Sequence, residues 1–147
     1  MIHYLTIQDV LWINHEVTKQ VNQYKFAQLE EATFYQYGYG KSEDVLSQAG
    51  GFLEGFIKLR PFTSGNRATA FVSALSFLKI NGYDVNLDPE AAAEWALKVA
   101  NREKKGVAAI KEITDKDAGP VELKPAIRTE VHNIMERYED AVVMLSD

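Results

Sequence analysis

One segment, Arg60-Pro61-Phe62-Thr63-Ser64-Gly65-Asn66-Arg67-Ala68-Thr69, combines residues suited to holding a phosphate-like anion. Arg60 and Arg67 bracket it with two guanidinium groups, which stay charged and can grip a phosphate through two N–H groups at once. Gly65 lets the backbone approach a ligand closely. Gly65-Asn66 also stands just before an apolar run that reads as a helix. The first N–H groups of a helix have no intrahelical partner, and with the helix dipole they favour an anion. Gly65, Asn66, Arg67 and Thr69 are therefore the candidate phosphate- or nucleotide-binding residues, and Phe62 is the candidate anchor that points inward. The same residues also suit an ordinary helix–helix turn in which Asn66 caps the helix that follows.

The elements around this loop read as helices. Thr6, with Asp9 three residues on, forms a capping-box pattern, and Ile7, Val10, Leu11 and Val17 follow at helical spacing. A short helix is expected over Gln28 to Tyr35, broken by Gln36-Tyr37-Gly38-Tyr39-Gly40. The tyrosines and glycines there also allow a small hairpin over Phe34 to Tyr39. Ser42-Glu43-Asp44 opens a third helix, which Pro61 ends. Ala68 to Ile80 is apolar nearly all round, the pattern of a central buried helix, and Asn81-Gly82 closes it. Asp88-Pro89-Glu90 starts a helix that continues to about Arg102. Val107 to Ile113 is a further short helix, Asp117 to Pro120 is a turn, and Pro125 to Leu145 is a final amphipathic helix. The fold class expected is all-α and single-domain, with a core over 1–105 and a helical extension over 106–147 packed on it.

Composition narrows the function classes. The 147 residues carry a formal net charge of −5, which argues against a duplex DNA partner. Cysteine is absent, so disulfides, thiolate catalysis and cysteine-ligated zinc are all excluded. His3, His15 and His132 lack metal-ligand spacing, and no metal site is expected. No apolar run reaches the roughly 20 residues of a membrane span, and no opening stretch reads as a signal peptide. Neither nucleic acid nor membrane is expected as a partner, and the expected location is the cytoplasm.

The loop resembles the signature of the Fic/Doc family, His-x-Phe-x-acid-Gly/Ala-Asn-x-Arg. Phe62, Gly65, Asn66, Thr69 and Ala70 stand at matching positions, and Ala70 to Tyr83 is similar to the helix that follows the loop in the Doc (death-on-curing toxin) branch. The likeness extends over about Tyr4 to Arg102. It implies a Fic-like helical bundle of toxin–antitoxin ancestry, and an activity in which part of a nucleotide, AMP or phosphate, passes to a protein hydroxyl. By the same resemblance, the region of Tyr35, Tyr37 and Tyr39 is the candidate flap that aligns a target segment by strand pairing. An antitoxin or a protein target is then the expected occupant of the groove, and a homodimer is a further partner class through the tail helix.

The departures from that signature fall on the chemistry. Arg60 occupies the catalytic histidine's position and cannot act as a base. Ser64 occupies the acidic position, which argues against magnesium, and Ala68 occupies the arginine's position with Arg67 one residue before it. The resemblance therefore implies a nucleotidyl- or phosphotransferase scaffold without its histidine. Such a scaffold would bind ATP or another nucleotide with transfer lost or altered, or serve as an inert module that docks a protein segment.

Overall fold

In the computed structural model, which describes residues 2–40, 44–115 and 118–146, the chain is an all-helical single domain. Helix α1 (Ile7–Thr18) starts at the expected capping box, in which the Thr6 hydroxyl accepts from the Asp9 N–H and the Asp9 carboxylate accepts from the Thr6 N–H. Helix α2 (Phe26–Phe34) runs directly into a 3₁₀ helix, Tyr35–Gly40. Helix α3 (Val45–Leu59) is capped by Asp44, and the expected start at Ser42-Glu43 lies outside the described residues. Helix α4 (Asn66–Ile80) begins two residues earlier than the apolar run indicates.

Asp88 caps a 3₁₀ turn, Pro89–Ala91, that leads into α5 (Ala92–Ala100), and α6 (Gly106–Glu112) follows. The final helix is two: α7 (Ile127–Arg137) and α8 (Glu139–Met144). The expectation of one continuous helix over Pro125 to Leu145 is corrected at Tyr138, whose backbone leaves helical geometry at φ −113° and ψ 33°. The cause is a tertiary anchor. The Tyr138 hydroxyl donates to the Leu87 carbonyl at 2.7 Å, and the Arg137 guanidinium donates to the Val85 carbonyl at 2.8 Å.

The core forms around α4, which packs against α1, α3, α5, α7 and α8. Every residue of α4 is buried except Arg67 and Lys79. A helix buried on all sides has no amphipathic stripe to display, which is why its sequence is apolar nearly all round. The segment beyond Lys105 contributes Ala109, Ile110, Val131, Ile134, Tyr138 and Leu145 to this same core. Where α6 crosses α3, Gly50 and Gly106 meet: a Cβ on Gly106 would lie 2.3 Å from the Gly50 carbonyl oxygen. Glycine inside α3 weakens that helix locally, and the contact shows what the position requires.

The expected hairpin over Phe34 to Tyr39 is replaced by the 3₁₀ helix, and side-chain satisfaction explains the change. Gln36 is fully buried; its amide accepts from the Leu5 N–H at 2.8 Å and donates to the Leu5 carbonyl at 2.7 Å, while Gln48 donates to the Gln36 carbonyl at 2.7 Å. These bonds tie the segment to α3 and to the residues before α1, and a strand would pull it away from both.

A cationic cleft beside the Arg60–Thr69 loop

The loop is held from inside. Asn66 is 1% exposed, and its side-chain amide closes a two-way clamp on Phe62: Oδ1 accepts from the Phe62 N–H at 2.9 Å and Nδ2 donates to the Phe62 carbonyl at 2.8 Å. Phe62, the expected anchor, lies buried against Phe56, at 6.3 Å between ring centroids. The loop also pairs with the chain before α2: an antiparallel bridge joins Tyr24 and Phe62, with Lys25 N–H donating to the Pro61 carbonyl and Thr63 N–H to the Gln23 carbonyl.

One side of the loop is filled by a network of uncharged polar groups. Asn14 donates to the Ser64 carbonyl at 3.0 Å and to the Thr69 hydroxyl at 3.1 Å. Asn22 donates to Asn14 Oδ1 and to the Thr18 hydroxyl, and accepts from the Ser64 hydroxyl at 3.1 Å. Gly65 takes φ +77°, and a Cβ there would lie 2.3 Å from Thr18 Cγ2. The C-terminal turn of α1 therefore sits directly on the start of α4. The side chains of Asn66 and Thr69, both expected to bind phosphate, are buried and engaged in holding the loop. Ser64 turns its hydroxyl to Asn22, into the same network.

The two arginines face a different space. Arg60 and Arg67 line a cavity of about 520 Å³ together with Lys58, Arg102, Lys104 and Lys105. Ile57, Val99 and Ala100 give it an apolar floor, and Glu54 is the one acid along its wall. These six cations come from three separate stretches, α3 with its cap, the first turn of α4, and the connection from α5 to α6. They are six of the 16 lysines and arginines of a chain whose net charge is −5. Two nearby acids are already committed: Glu54 accepts from the Gly106 N–H at 2.5 Å, and Glu112 pairs with Lys104. Among the described residues Lys58, Arg67, Arg102 and Lys105 have no acidic partner.

Backbone geometry singles out the same place. Three non-glycine residues adopt positive φ, and two of them, Arg60 at +45° and Arg102 at +61°, line the cleft. Each follows the end of a helix, where glycine is usual because a Cβ costs roughly 1 kcal/mol or more in that conformation. A cation near a helix C-terminus recovers part of that cost. Gathering like charges around one cavity nevertheless raises its potential and makes them mutually repulsive.

The remaining candidates lie elsewhere. Tyr35 packs against Gly55, and Tyr37 stacks on Tyr4 at 4.0 Å between centroids; burial beside Tyr4 raises the pKa of the Tyr37 phenol above its ordinary value. The side chain of Tyr39 lies outside the described residues. As a strand-forming flap the segment is corrected, because its backbone is a 3₁₀ helix. His132 stacks on Trp12 at 5.4 Å and reaches Glu16 at 3.4 Å, and His15 lies 3.8 Å from that carboxylate. His3 reaches the Glu122 carbonyl, and none of the three lines the cationic cleft.

Sequence reading finds Arg60 and Arg67 and misses Arg102, Lys104 and Lys105. The available signal was the run Arg102-Glu103-Lys104-Lys105 at a helix end, which alone reads as a solvated turn. Among the described residues no cluster of three or more metal-ligating side chains occurs, and no helix is long and apolar enough to cross a membrane. The chain matches no protein-family model, no curated protein and no solved structure.

Proposed function

We propose that this chain is a Doc-like, Fic-fold protein of toxin–antitoxin ancestry that binds a nucleotide or phosphate at the Arg60–Thr69 loop, with transfer of AMP or phosphate to protein lost or altered. One observation carries the binding half: Arg60 and Arg67 project from a loop locked by Asn66 into a cavity walled by six cations. A rigid loop presents charge at little ordering cost, and arginine suits the planar, two-point recognition of phosphate. The phosphate is held by side chains rather than by Asn66 or Thr69, whose polar groups are engaged within the protein.

The transfer half rests on what stands at the reacting positions. Phosphoryl transfer depends on positioning and charge neutralisation together with a group that accepts the hydroxyl proton. The cleft supplies neutralising charge, but its lining offers Glu54 as the one proton acceptor, and that carboxylate is bound to the start of α6. Calorimetric titration of ATP, GTP, CTP and UTP, with and without magnesium, tests the reading. The wild type binds at least one nucleotide at sub-millimolar concentration, and Arg67→Gln weakens that binding tenfold or more. Absence of binding at millimolar nucleotide overturns it. Incubation of the protein with a cell lysate and labelled ATP tests the second half, and efficient magnesium-dependent labelling of a protein would show transfer to be intact.

A further inference from the structure

We infer that a second cavity, on the α1 side of the loop, binds a small organic carboxylate with an aromatic body. The cavity holds about 390 Å³, a size that suits a small molecule, and it shares no lining residue with the cationic cleft. Three stretches build it: α1 contributes Trp12 and His15, the connection to α2 contributes Val21 and Tyr24, and α7 contributes Arg128. Its walls expose apolar surface to solvent. Val21 is 90% exposed and Tyr24 44% exposed. Tyr24 is nevertheless held in place, through its bridge to Phe62 and an edge-on ring contact at 6.0 Å. Trp12 is partly buried and gripped from α7, with His132 stacked on it at 5.4 Å and the Arg128 guanidinium 4.6 Å from its ring centroid. Rings already fixed in position offer contact area at little ordering cost.

Hydrogen-bond accounting fixes where the charge of the ligand sits. Each side-chain N–H of Asn14, Asn22 and Gln20 is spent inside the network around Ser64. His15 lies 3.8 Å from the Glu16 carboxylate. Arg128 differs: among the described residues it has no acidic partner, and no acid lines the cavity. A guanidinium stacked on a ring uses its flat face and keeps its in-plane N–H groups, which hold a carboxylate at two points. One free permanent cation beside exposed aromatic walls matches a ligand with one negative charge and an aromatic body. A phosphate, at close to −2, would keep an uncompensated charge there.

Titration of the full chain with 3-phenylpropionate, followed by tryptophan fluorescence and calorimetry, tests the inference. Trp95 is buried and donates to the Ala109 carbonyl, so Trp12 is the indole that reports on the cavity. 3-Phenylpropionate is expected to bind at millimolar concentration or below and to change the emission. Its uncharged amide and the ringless anion acetate are each expected to bind about tenfold more weakly, as is 3-phenylpropionate to Arg128→Gln. Arg128 is exposed, and an unchanged circular-dichroism spectrum verifies that the variant is folded. Saturating ATP is expected to leave the affinity unchanged. Equal affinity for the acid and its amide, or full affinity in Arg128→Gln, overturns the site. Competition by ATP also overturns it, because the acid would then occupy the cationic cleft. Tighter binding of phenyl phosphate overturns the carboxylate assignment, and tighter binding of a peptide ending in phenylalanine overturns the small-molecule assignment. Absence of binding at millimolar 3-phenylpropionate overturns the inference and leaves the reading of the loop standing.

Discussion

The seat of α4 on α1 predicts a specific energetic coupling between Gly65 and Thr18. Replacing Gly65 by alanine places a Cβ at φ +77°, where L-residues lose roughly 1 kcal/mol or more. The same atom would lie 2.3 Å from Thr18 Cγ2 and 3.2 Å from Asn14 Nδ2, an overlap typical of overpacked interiors that cost about 1–3 kcal/mol. The single variant is therefore expected to lose about 3 kcal/mol. At about 3 °C per kcal/mol for a domain of this size, its melting temperature falls by about 9 °C. Thr18→Ser removes the methyl but keeps the hydroxyl, which donates to the Asn14 carbonyl at 2.8 Å and accepts from Asn22 at 3.0 Å. Alone it costs about 0.8 kcal/mol, the worth of one buried methylene. In the double variant the clash is gone and the backbone penalty remains, so the two changes fail to add by about 1–2 kcal/mol. Distant, independent sites add within about 0.5 kcal/mol. A urea-denaturation double-mutant cycle reads this coupling, and additivity within that margin would refute the packing of Gly65 on Thr18.

Three further expectations follow from named contacts. Asn66→Asp keeps an acceptor for the Phe62 N–H but sets a carboxylate oxygen against the Phe62 carbonyl in a buried site, and a loss of about 3 kcal/mol is expected; less than 1 kcal/mol would contradict the clamp. Tyr138→Phe removes the hydroxyl that donates to Leu87 and is expected to cost about 1 kcal/mol. Burial raises the Tyr138 pKa above its ordinary value, so the native hydroxyl stabilises fully below about pH 10 and less as pH rises through the raised value. Alkaline denaturation of the phenylalanine variant should accordingly be shallower, and identical curves would count against the anchor. The Ser47 hydroxyl is the leading cause that lowers the Asp44 pKa. Asp44 thus stabilises above about pH 4 and loses that contribution as pH falls through its lowered value. Ser47→Ala should raise the Asp44 midpoint in a carboxyl NMR titration, and an unmoved midpoint would remove the bond as its cause.

Local rules carried most of the helical layout. Thr6 and Asp9, Asp88 and Pro89, and the apolar run after Ala68 each encode a helix start or a burial state within a few residues, and the chain follows them. The misses are tertiary. Nothing near Tyr138 in sequence announces that Leu87, 51 residues away, will stop a helix there. The tyrosines around Gln36 carry strand propensity, yet the amide of Gln36 finds its partners at Leu5 and overrides it. The candidate site divides in the same way. Arg60 and Arg67 stand out because they flank a glycine before a helix, whereas Arg102 and Lys105 gain meaning only when α5 and α6 fold back beside them. Asn66 and Thr69 read as ligand-binding residues because their types suit both roles. Burial and hydrogen-bond accounting assign them to holding the loop.

The central claim is that the Arg60–Thr69 loop and the α5–α6 connection form one anion-binding cleft. The measurement that reaches it most directly is amide chemical-shift mapping of the ¹⁵N-labelled protein titrated with ATP. Saturable shifts at Arg60, Arg67, Arg102 and Lys105, with the Asn14–Asn22 network unmoved, are predicted. A binding isotherm whose shifts cluster away from these residues, or a spectrum unchanged at millimolar ATP, would contradict it.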